Sequence, residues 1–593
     1  MSINLNDDQN IILNKLQDFI NGESGKFYLL TGLAGTGKTF LVTYLLTLSE
    51  LMKKKIAVTG CTNKAVGVLE NSFNKNMNII KKDDFNESRN ITFLTIHKLL
   101  QVKRKIDSKG EEIFESNIDE NNIKVKSKSI FYYDIIIVDE VSMLNRDMVI
   151  QILKLQPKIK GKIIFLGDKA QLPPVREPES HIFELADKKI PHSFLSKIMR
   201  SGDQIINFVN SIRKLIDEPD HKVPFKKLAT SLNKDESRIT LFRNEDEWIQ
   251  KYITVNKSDI DQIILCYTNR RVDYLNQRIR KILFKTDSNN FVNGEKIIFN
   301  NTYHLPTNQN KYDSSQMVII NSVSIDEIKI RPFNLYDIIT IRFPLSSLLS
   351  GSVFLKKKYN ISEKALMAGY IEKDDEYLKN FSDTVCQICY YVDIDSSMNF
   401  NGKCGHHYCN MCFYSWDLNL KTSSCPLCLL LIKDGNIIAD DNHMITKLFE
   451  ELRNITKNQH IKYKIWLIML ENKDLLYVIH PDDKEKYTSD IDKIKNKLRD
   501  MNNYILTHKK DQYKFWEKIM LQLWEFYYYF YIDQFAQINY GNVITTHRSQ
   551  GSTYKRVYVD LIDIIKSNDN KKEGFQCLYT AVTRASENLE ILF

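Results

Sequence analysis

Gly32-Leu33-Ala34-Gly35-Thr36-Gly37-Lys38-Thr39 stands between an apolar run, Phe27 to Leu30, and an amphipathic stretch, Thr39 to Ser49. A glycine-rich loop between a strand and a helix aims its N–H groups at phosphate, and the helix N-terminus adds a favourable dipole. Gly32, Gly35, Thr36 and Gly37 are the expected cradle. Lys38 is expected to reach the β and γ phosphates of ATP, and Thr39 to hold Mg²⁺.

Working outward, Ile56 to Thr59, Ile135 to Val138 and Ile163 to Leu166 are further β-branched runs. They read as buried strands of a parallel sheet. Helical patterns come after them, as at Asn63 to Phe73, so the class is doubly wound α/β. Residues 101–130 interrupt this rhythm with polar sequence and a turn near Gly110, which suggests an inserted hairpin.

Asp139-Glu140 closes the run Ile135-Ile136-Ile137-Val138. Asp139 is placed to bind Mg²⁺, and Glu140 to orient and deprotonate an attacking water. An acidic pair after a strand says little alone; beside the loop it completes a hydrolytic site. Gln171, in Gly167-Asp168-Lys169-Ala170-Gln171-Leu172-Pro173-Pro174, is a candidate γ-phosphate sensor. Phosphoryl transfer needs added cations in its transition state. Arg200 and Arg584 are the candidates, the second lying near Gln550-Gly551 at the far end of the chain. A nucleotide site drawn from both ends implies two lobes that move against each other.

A second α/β lobe starts near Leu195, with Gln262 to Cys266 as a strand and Arg270 to Leu283 as an Arg-rich helix. Short strands come next from about 296, including Met317 to Ile325 and Tyr336 to Phe343, and suggest a small β-barrel. Residues 440–532 read as helical, charged and aromatic. The α/β pattern resumes near 536 and closes the chain.

Bulk properties set limits. The chain has 593 residues, 43% of them hydrophobic and 26% charged, enough for several packed cores. Its net charge of +9 is a mild bias toward polyanions, far from a histone-like tail. No charged segment precedes an apolar core at the start, and no apolar run approaches the roughly 18 residues of a membrane span. A soluble intracellular protein is expected, in the nucleus or at a cytoplasmic replication site, with no membrane partner.

Seven of the ten Cys cluster in Cys386-x2-Cys389-x14-Cys404-x-His406-x2-Cys409-x2-Cys412-x12-Cys425-x2-Cys428. Each of the four pairs supplies half of a tetrahedral site, so two Zn²⁺ ions are expected. Cys61, Cys266 and Cys577 stand alone and read as buried apolar residues. His304, His443, His460, His480 and His508 lack ligand-like spacing. The aromatic run from Phe526 to Tyr531 reads as core packing, ahead of a base-stacking platform.

Taken together, several strings resemble the superfamily 1B DNA helicases of the RecD/Dda branch. They are Asn6-Asp7-Asp8-Gln9, the phosphate loop, Thr62-Asn63-Lys64-Ala65, Thr95-Ile96-His97 and Asp139-Glu140-Val141-Ser142-Met143. Gln171-Leu172-Pro173-Pro174, Arg200, Thr546-His547-Arg548-Ser549-Gln550-Gly551 and Tyr579-Thr580-Ala581-Val582-Thr583-Arg584 complete the set. Cys61 departs from the pattern, standing where the family usually has Pro.

The resemblance implies two RecA-like P-loop NTPase domains, with an SH3-like β-barrel, a RING finger and a helical segment inserted in the second. The expected boundaries are 1–195 for the first domain, carrying the 101–130 hairpin, and 196–300 with 536–593 for the second. The barrel is expected at 301–380, the RING at 381–432 and the helical insertion at 433–535. The resemblance also implies 5′ to 3′ translocation on single-stranded DNA, with tailed duplexes as substrates. It gives Gln9 and Gly551 to the nucleotide. Thr62, Asn63, His97, Thr546 and His547 go to the DNA strand, with Phe114 the candidate wedge of a duplex-splitting hairpin.

The cysteine order resembles the RING finger. That family's cross-brace would put Cys386, Cys389, Cys409 and Cys412 on one zinc and Cys404, His406, Cys425 and Cys428 on the other. Ile388, Trp416 and Pro426 fall where ubiquitin-ligase RINGs dock a ubiquitin-conjugating enzyme. Leu429 stands where those RINGs often carry a cation, and many RING folds bind partners without ligase activity. The leading expectation is an ATP-dependent DNA helicase fused to a RING, in DNA replication, repair or recombination. The alternative is a RING-type ubiquitin ligase that its ATPase lobes target to DNA.

Overall fold

The β-branched runs of the first lobe become six parallel strands: β1 (Phe27–Gly32), β2 (Ile56–Gly60), β3 (Ile91–Thr95), β6 (Ile135–Val138), β7 (Lys162–Gly167) and β8 (His192–Leu195). Their order is β3-β2-β6-β7-β1-β8. Every residue of β2 and β6 is buried, as continuous apolar strands require when both faces of a parallel sheet are covered. α1 (Asp7–Asn21), α2 (Lys38–Leu46) and α3 (Asn63–Ile80) lean on one face. α4 (Ile96–Leu99), α5 (Arg146–Leu155) and α6 (His181–Ala186) lean on the other. α1 starts on a full capping box, in which the Asn6 side chain accepts the Gln9 N–H and the Gln9 side chain accepts the Asn6 N–H.

This computed structural model describes residues 5–593 apart from 24, 34, 49–50, 52, 81–89, 117, 119–127, 187–189, 198–203, 218–237, 256–260, 287–289, 306–310, 330–399, 402–406, 409–431, 434–435, 438–447, 449–450, 453–461, 509–512 and 568–570. The eight zinc-ligand candidates, Cys386, Cys389, Cys404, His406, Cys409, Cys412, Cys425 and Cys428, lie outside the described residues. So do Ile388, Trp416, Pro426, Arg200 and the expected strand Tyr336 to Phe343. Among the described residues no cluster of His, Cys, Asp or Glu is arranged to hold a metal. None of the described helices is long and apolar enough to cross a membrane.

The interruption after residue 100 is a two-stranded antiparallel hairpin, β4 (Val102–Ile106) and β5 (Glu112–Ser116), which turns at Gly110. The second lobe begins with α7 (Gln204–Asp217) and β9 (Ile239–Phe242), and continues through β10 (Gln262–Cys266) and the helix Asn269–Phe284.

Beyond that helix the chain leaves the lobe to build a different, antiparallel sheet. Its strands are β11 (Lys296–Phe299), β14 (Met317–Lys329), β19 (Lys462–Leu470), β20 (Leu475–Ile479) and β21 (Ile538–Tyr540), in the order β20-β19-β14-β11-β21. Between them lie short pairs: β12 (Tyr303–His304) with β13 (Lys311–Tyr312), β15 (Phe400–Asn401) with β16 (His407–Tyr408), and β17 (Ile432–Lys433) with β18 (Asn436–Ile437). The helical insertion expected at 433–535 is therefore corrected. Residues 462–479 are two strands of this sheet, and the helices Pro481–His508 and Tyr513–Tyr527 come after them. The sheet also begins inside the 196–300 segment, at β11.

The chain then returns. β22 (Val543–Thr545), β23 (Tyr554–Asp560) and β24 (Ala585–Leu592) complete a parallel sheet in the order β22-β10-β23-β24-β9. A buried ion pair, Arg280 with Glu295, joins this lobe to the base of the antiparallel sheet, and Tyr540 covers the guanidinium at 3.8 Å. The aromatic run packs inward as expected: Phe526, Tyr527 and Tyr531 are buried, and the backbone makes a π-helical turn over Tyr528–Ile532.

Candidate active site

Parallel sheets gather functional residues outside the C-terminal ends of their strands, and that geometry explains the arrangement here. β1 runs into the phosphate loop, β6 into Asp139-Glu140, β7 into Asp168, β2 into Thr62 and β3 into His97. β1 lies between β7 and β8, so the loop sits centrally among these ends.

The loop is tight. Gly35 and Gly37 have φ of 78° and 79°, a left-handed conformation suited to glycine. At Gly32 a Cβ would stand 2.8 Å from Leu195 Cβ and 3.0 Å from Thr36 Oγ1. Lys38 Nζ donates to the carbonyls of Gly32 at 2.8 Å and Leu33 at 3.1 Å. Its ammonium is thus held over the loop where a phosphate chain would lie. Gln9 is fully buried and donates to the Thr36 carbonyl at 3.2 Å, bracing the loop from α1. Asp8 accepts from Ser196 and Lys197, which ties the segment leading toward Arg200 to the same helix.

Thr39 Oγ1 is 3.5 Å from Asp139 Oδ2, a hydroxyl and a carboxylate of the hard-oxygen kind that Mg²⁺ takes. Burial, then the neighbouring Glu140 charge, push the Asp139 carboxyl up to about 7. Glu140 sits at φ 54°, a left-handed conformation rare for this residue type. From the other lobe, Arg584 Nη1 comes within 3.9 Å of Glu140 Oε1. Arg584 is 5% exposed, and its guanidinium is anchored on the carbonyls of Thr580 and Ser552. Chain ends far apart in sequence therefore meet at one carboxylate.

The seam between lobes is close. Gly551, at φ 71°, abuts α3, where a Cβ would stand 2.7 Å from Ala65 Cβ. Lys64 Nζ meets the Tyr554 hydroxyl at 2.9 Å. Gln171 lines a small cavity with Ser142, Lys169 and Gln576. Among the described residues its Oε1 has no hydrogen-bond partner.

The strand-binding candidates divide. Asn63 Nδ2 donates to Asp313 Oδ1 at 2.6 Å, linking the first lobe to the antiparallel unit. The Thr62 hydroxyl accepts the Ala65 N–H and starts α3. His97 and His547 are half-buried, and burial lowers the basicity of both rings. Phe114 is 65% exposed on β5. Thr546 differs from expectation: it is fully buried, and its hydroxyl donates to the Cys266 carbonyl at 3.2 Å. It anchors the turn that presents His547.

Sequence reasoning missed Lys64, Arg213, Asp313 and Arg548. Lys64 and Arg548 lay inside the strings already quoted. Arg213 sits in an ordinary amphipathic helix and Asp313 in a polar loop, and neither carries a local signal.

The family model of the AAA domain matches residues 20–177, and that of the UvrD-like helicase C-terminal domain matches 540–592. These segments carry the phosphate loop with Glu140, and Arg584. Uncharacterized protein R530 of Acanthamoeba polyphaga mimivirus is 28% identical over 98% of this chain and 99% of its own length. The RecBCD enzyme subunit RecD of Buchnera aphidicola subsp. Schizaphis graminum is 35% identical over 25% of this chain and 23% of its own. The ATP-dependent DNA helicase dda of Enterobacteria phage T4 is 25% identical over 49% of this chain and 62% of its own. A solved Pif1 helicase from Bacteroides in complex with ADP-AlF3 and ssDNA is 14% identical. It covers 100% of this chain and 92% of that one at a TM-score of 0.36, a likeness too loose to argue from. In these two segments, and in its RecD and dda relatives, the chain is similar to superfamily 1B helicases.

Proposed function

We propose that the chain is an ATP-driven DNA helicase that moves 5′ to 3′ on single-stranded DNA. The observation that carries this reading is Arg584 of the second lobe standing 3.9 Å from Glu140 of the first. A cation delivered across a cleft makes hydrolysis conditional on closure, which is what a motor needs. Glu140 takes the proton of the attacking water, while Lys38, Arg584 and Arg200 offset the charge that develops on the transferred phosphoryl group. Thr39 and Asp139 would hold Mg²⁺, which would supply positive charge against the phosphates. Gln171 senses the γ-phosphate, and Gln9 and Gly551 complete the nucleotide site.

Asn63, His97 and His547, with Thr62 and Thr546 shaping their turns, face the strand from both lobes. Phe114, exposed at the hairpin, is the wedge. Backbone contacts of this kind make binding sequence-tolerant and salt-sensitive. Strand displacement on duplexes carrying either a 5′ or a 3′ single-stranded tail tests the reading. Unwinding confined to 5′-tailed duplexes supports it; unwinding confined to 3′ tails, or none with ATP, contradicts it.

The Cys/His spacing of residues 386–428 supports a second activity, a RING that binds two Zn²⁺ and recruits a ubiquitin-conjugating enzyme through Ile388, Trp416 and Pro426. Metal analysis of the purified chain should find two zinc ions, and Cys386→Ser should lower that content while ATP hydrolysis persists. Autoubiquitination with a panel of conjugating enzymes tests the ligase; zinc without transfer leaves a partner-binding module.

A further inference from the structure

The loop after β7 leaves its own lobe at a single residue. Gly167 is fixed to the first lobe, where a Cβ would stand 2.6 Å from Val141 Cγ2, directly beside the acidic pair. The next residue, Asp168, is 1% exposed, and groups of the second lobe hold its carboxylate. Arg213 of α7 forms an ion pair with Oδ1, and the Tyr579 hydroxyl donates to Oδ2 at 2.5 Å. The Arg213 guanidinium also lies 5.9 Å from the ring centroid of Tyr579.

Residues 170–172 are held by the second lobe as well. Ala170 and Leu172 are buried in its apolar core. Leu172 commits both backbone groups there: its N–H donates to Thr580 Oγ1 at 3.0 Å, and its carbonyl accepts from Gln550 Nε2 at 3.1 Å. Gln171, between those two anchors, keeps an unpartnered Oε1 among the described residues.

We infer that Arg213 and Tyr579 are positioning residues that fasten the 168–172 loop to the second lobe, so that lobe closure carries Gln171 with it. Both hold the loop through Asp168 rather than through the nucleotide site. This inference rests on the motor reading above. A buried carboxylate holds its donors strictly, because an unsatisfied charge in that setting is costly. Arginine's planar fork fixes direction as well as charge, which lysine does not reproduce. The loop therefore transmits lobe movement to the γ-phosphate sensor, and strand binding to hydrolysis.

The experiment compares full-length wild type, Arg213→Lys and Tyr579→Phe, with Arg213→Met as a charge-free control. ATP hydrolysis is measured with and without saturating oligothymidylate, alongside oligothymidylate affinity and thermal melting. Arg213→Lys and Tyr579→Phe should each melt somewhat below wild type, by the bond lost from the buried Asp168 carboxylate, yet bind the oligonucleotide with unchanged affinity and keep basal hydrolysis. Their DNA stimulation should fall about tenfold, through kcat with the KM for ATP preserved. Arg213→Lys, which keeps the charge, should retain more stimulation than Arg213→Met. Stimulation equal to wild type in both Arg213→Lys and Tyr579→Phe overturns the inference. So does a parallel fall of melting temperature, basal rate and stimulated rate, which marks a purely structural role. Wild type that hydrolyses ATP without stimulation overturns the motor reading itself, and this inference with it.

Discussion

Trp524 lies on Gly110. A Cβ at position 110 would stand 2.5 Å from Trp524 Cζ2, and the indole N–H donates to the Ser108 carbonyl at 3.0 Å. The hairpin of the first lobe thereby leans on a helix of the inserted unit. Tyr528 adds a hydroxyl bond to the Gly110 carbonyl at 3.0 Å, and Arg104 pairs with Asp533 at 3.0 Å. If the hairpin carries the wedge proposed at Phe114, it must resist the duplex, and this contact would brace it.

Gly110→Ala should therefore separate unwinding from hydrolysis. Position 110 has φ of 80°, so alanine is strained there by about 1 kcal/mol before any clash with the indole. Strand displacement should fall severalfold or more, while DNA-stimulated ATP hydrolysis stays close to wild type. A gel-based unwinding assay run beside a phosphate-release assay checks both.

The Arg584–Glu140 approach makes a sharper claim. Arg584→Ala should lower kcat by roughly 10³-fold, the scale of a transition-state arginine, with ATP binding retained. Glu140→Gln should bind nucleotide without turnover, and Lys38→Ala should lose hydrolysis altogether. Nucleotide-binding fluorescence and steady-state turnover distinguish the three.

Asp139 gives a pH signature. Burial and the Glu140 charge lift its folded-state carboxyl to about 7, above the ordinary 3.8. A raised carboxyl favours the fold fully below the unfolded value and loses that contribution as pH rises through the folded one. In Mg²⁺-free buffer, Asp139→Asn should thus leave stability nearly unchanged at pH 4. At pH 8 it should raise stability by on the order of 4 kcal/mol. Thermal melts at the two pH values decide it.

Arg548 is partly buried, bonded to Asn300 Oδ1 at 2.8 Å, and lowered in basicity by burial. Among the described residues no carboxylate pairs with it. A guanidinium so placed beside His547 suits a backbone phosphate. Arg548→Ala should weaken single-strand binding and reduce the slope of log affinity against log salt by about 0.7. A salt titration by fluorescence anisotropy measures that slope.

Much of the candidate nucleotide site was legible because strand ends and glycine loops carry short-range signals. A β-branched run, then glycines, then Lys38-Thr39 leaves little conformational choice, and Asp139-Glu140 obeys the same logic. The antiparallel sheet was harder. Ile465 to Leu470 is a continuous apolar run, which periodicity cannot assign to helix or strand. Its pairing partner β14 lies more than a hundred residues earlier, before the cysteine-rich segment. Thr546 was given to the strand by the family resemblance; only the fold shows its hydroxyl turned to Cys266. Arg213 gave no signal, since its meaning comes from Asp168 across the lobe seam.

The central claim is that both ends of the chain form one nucleotide site answering to a DNA strand. The most direct measurement is the rate of ATP hydrolysis by the purified full-length chain as oligothymidylate is titrated in. The account predicts a saturable rise of at least about tenfold, lost in Arg584→Ala. A rate indifferent to the oligonucleotide, or an Arg584→Ala protein stimulated like wild type, would contradict it.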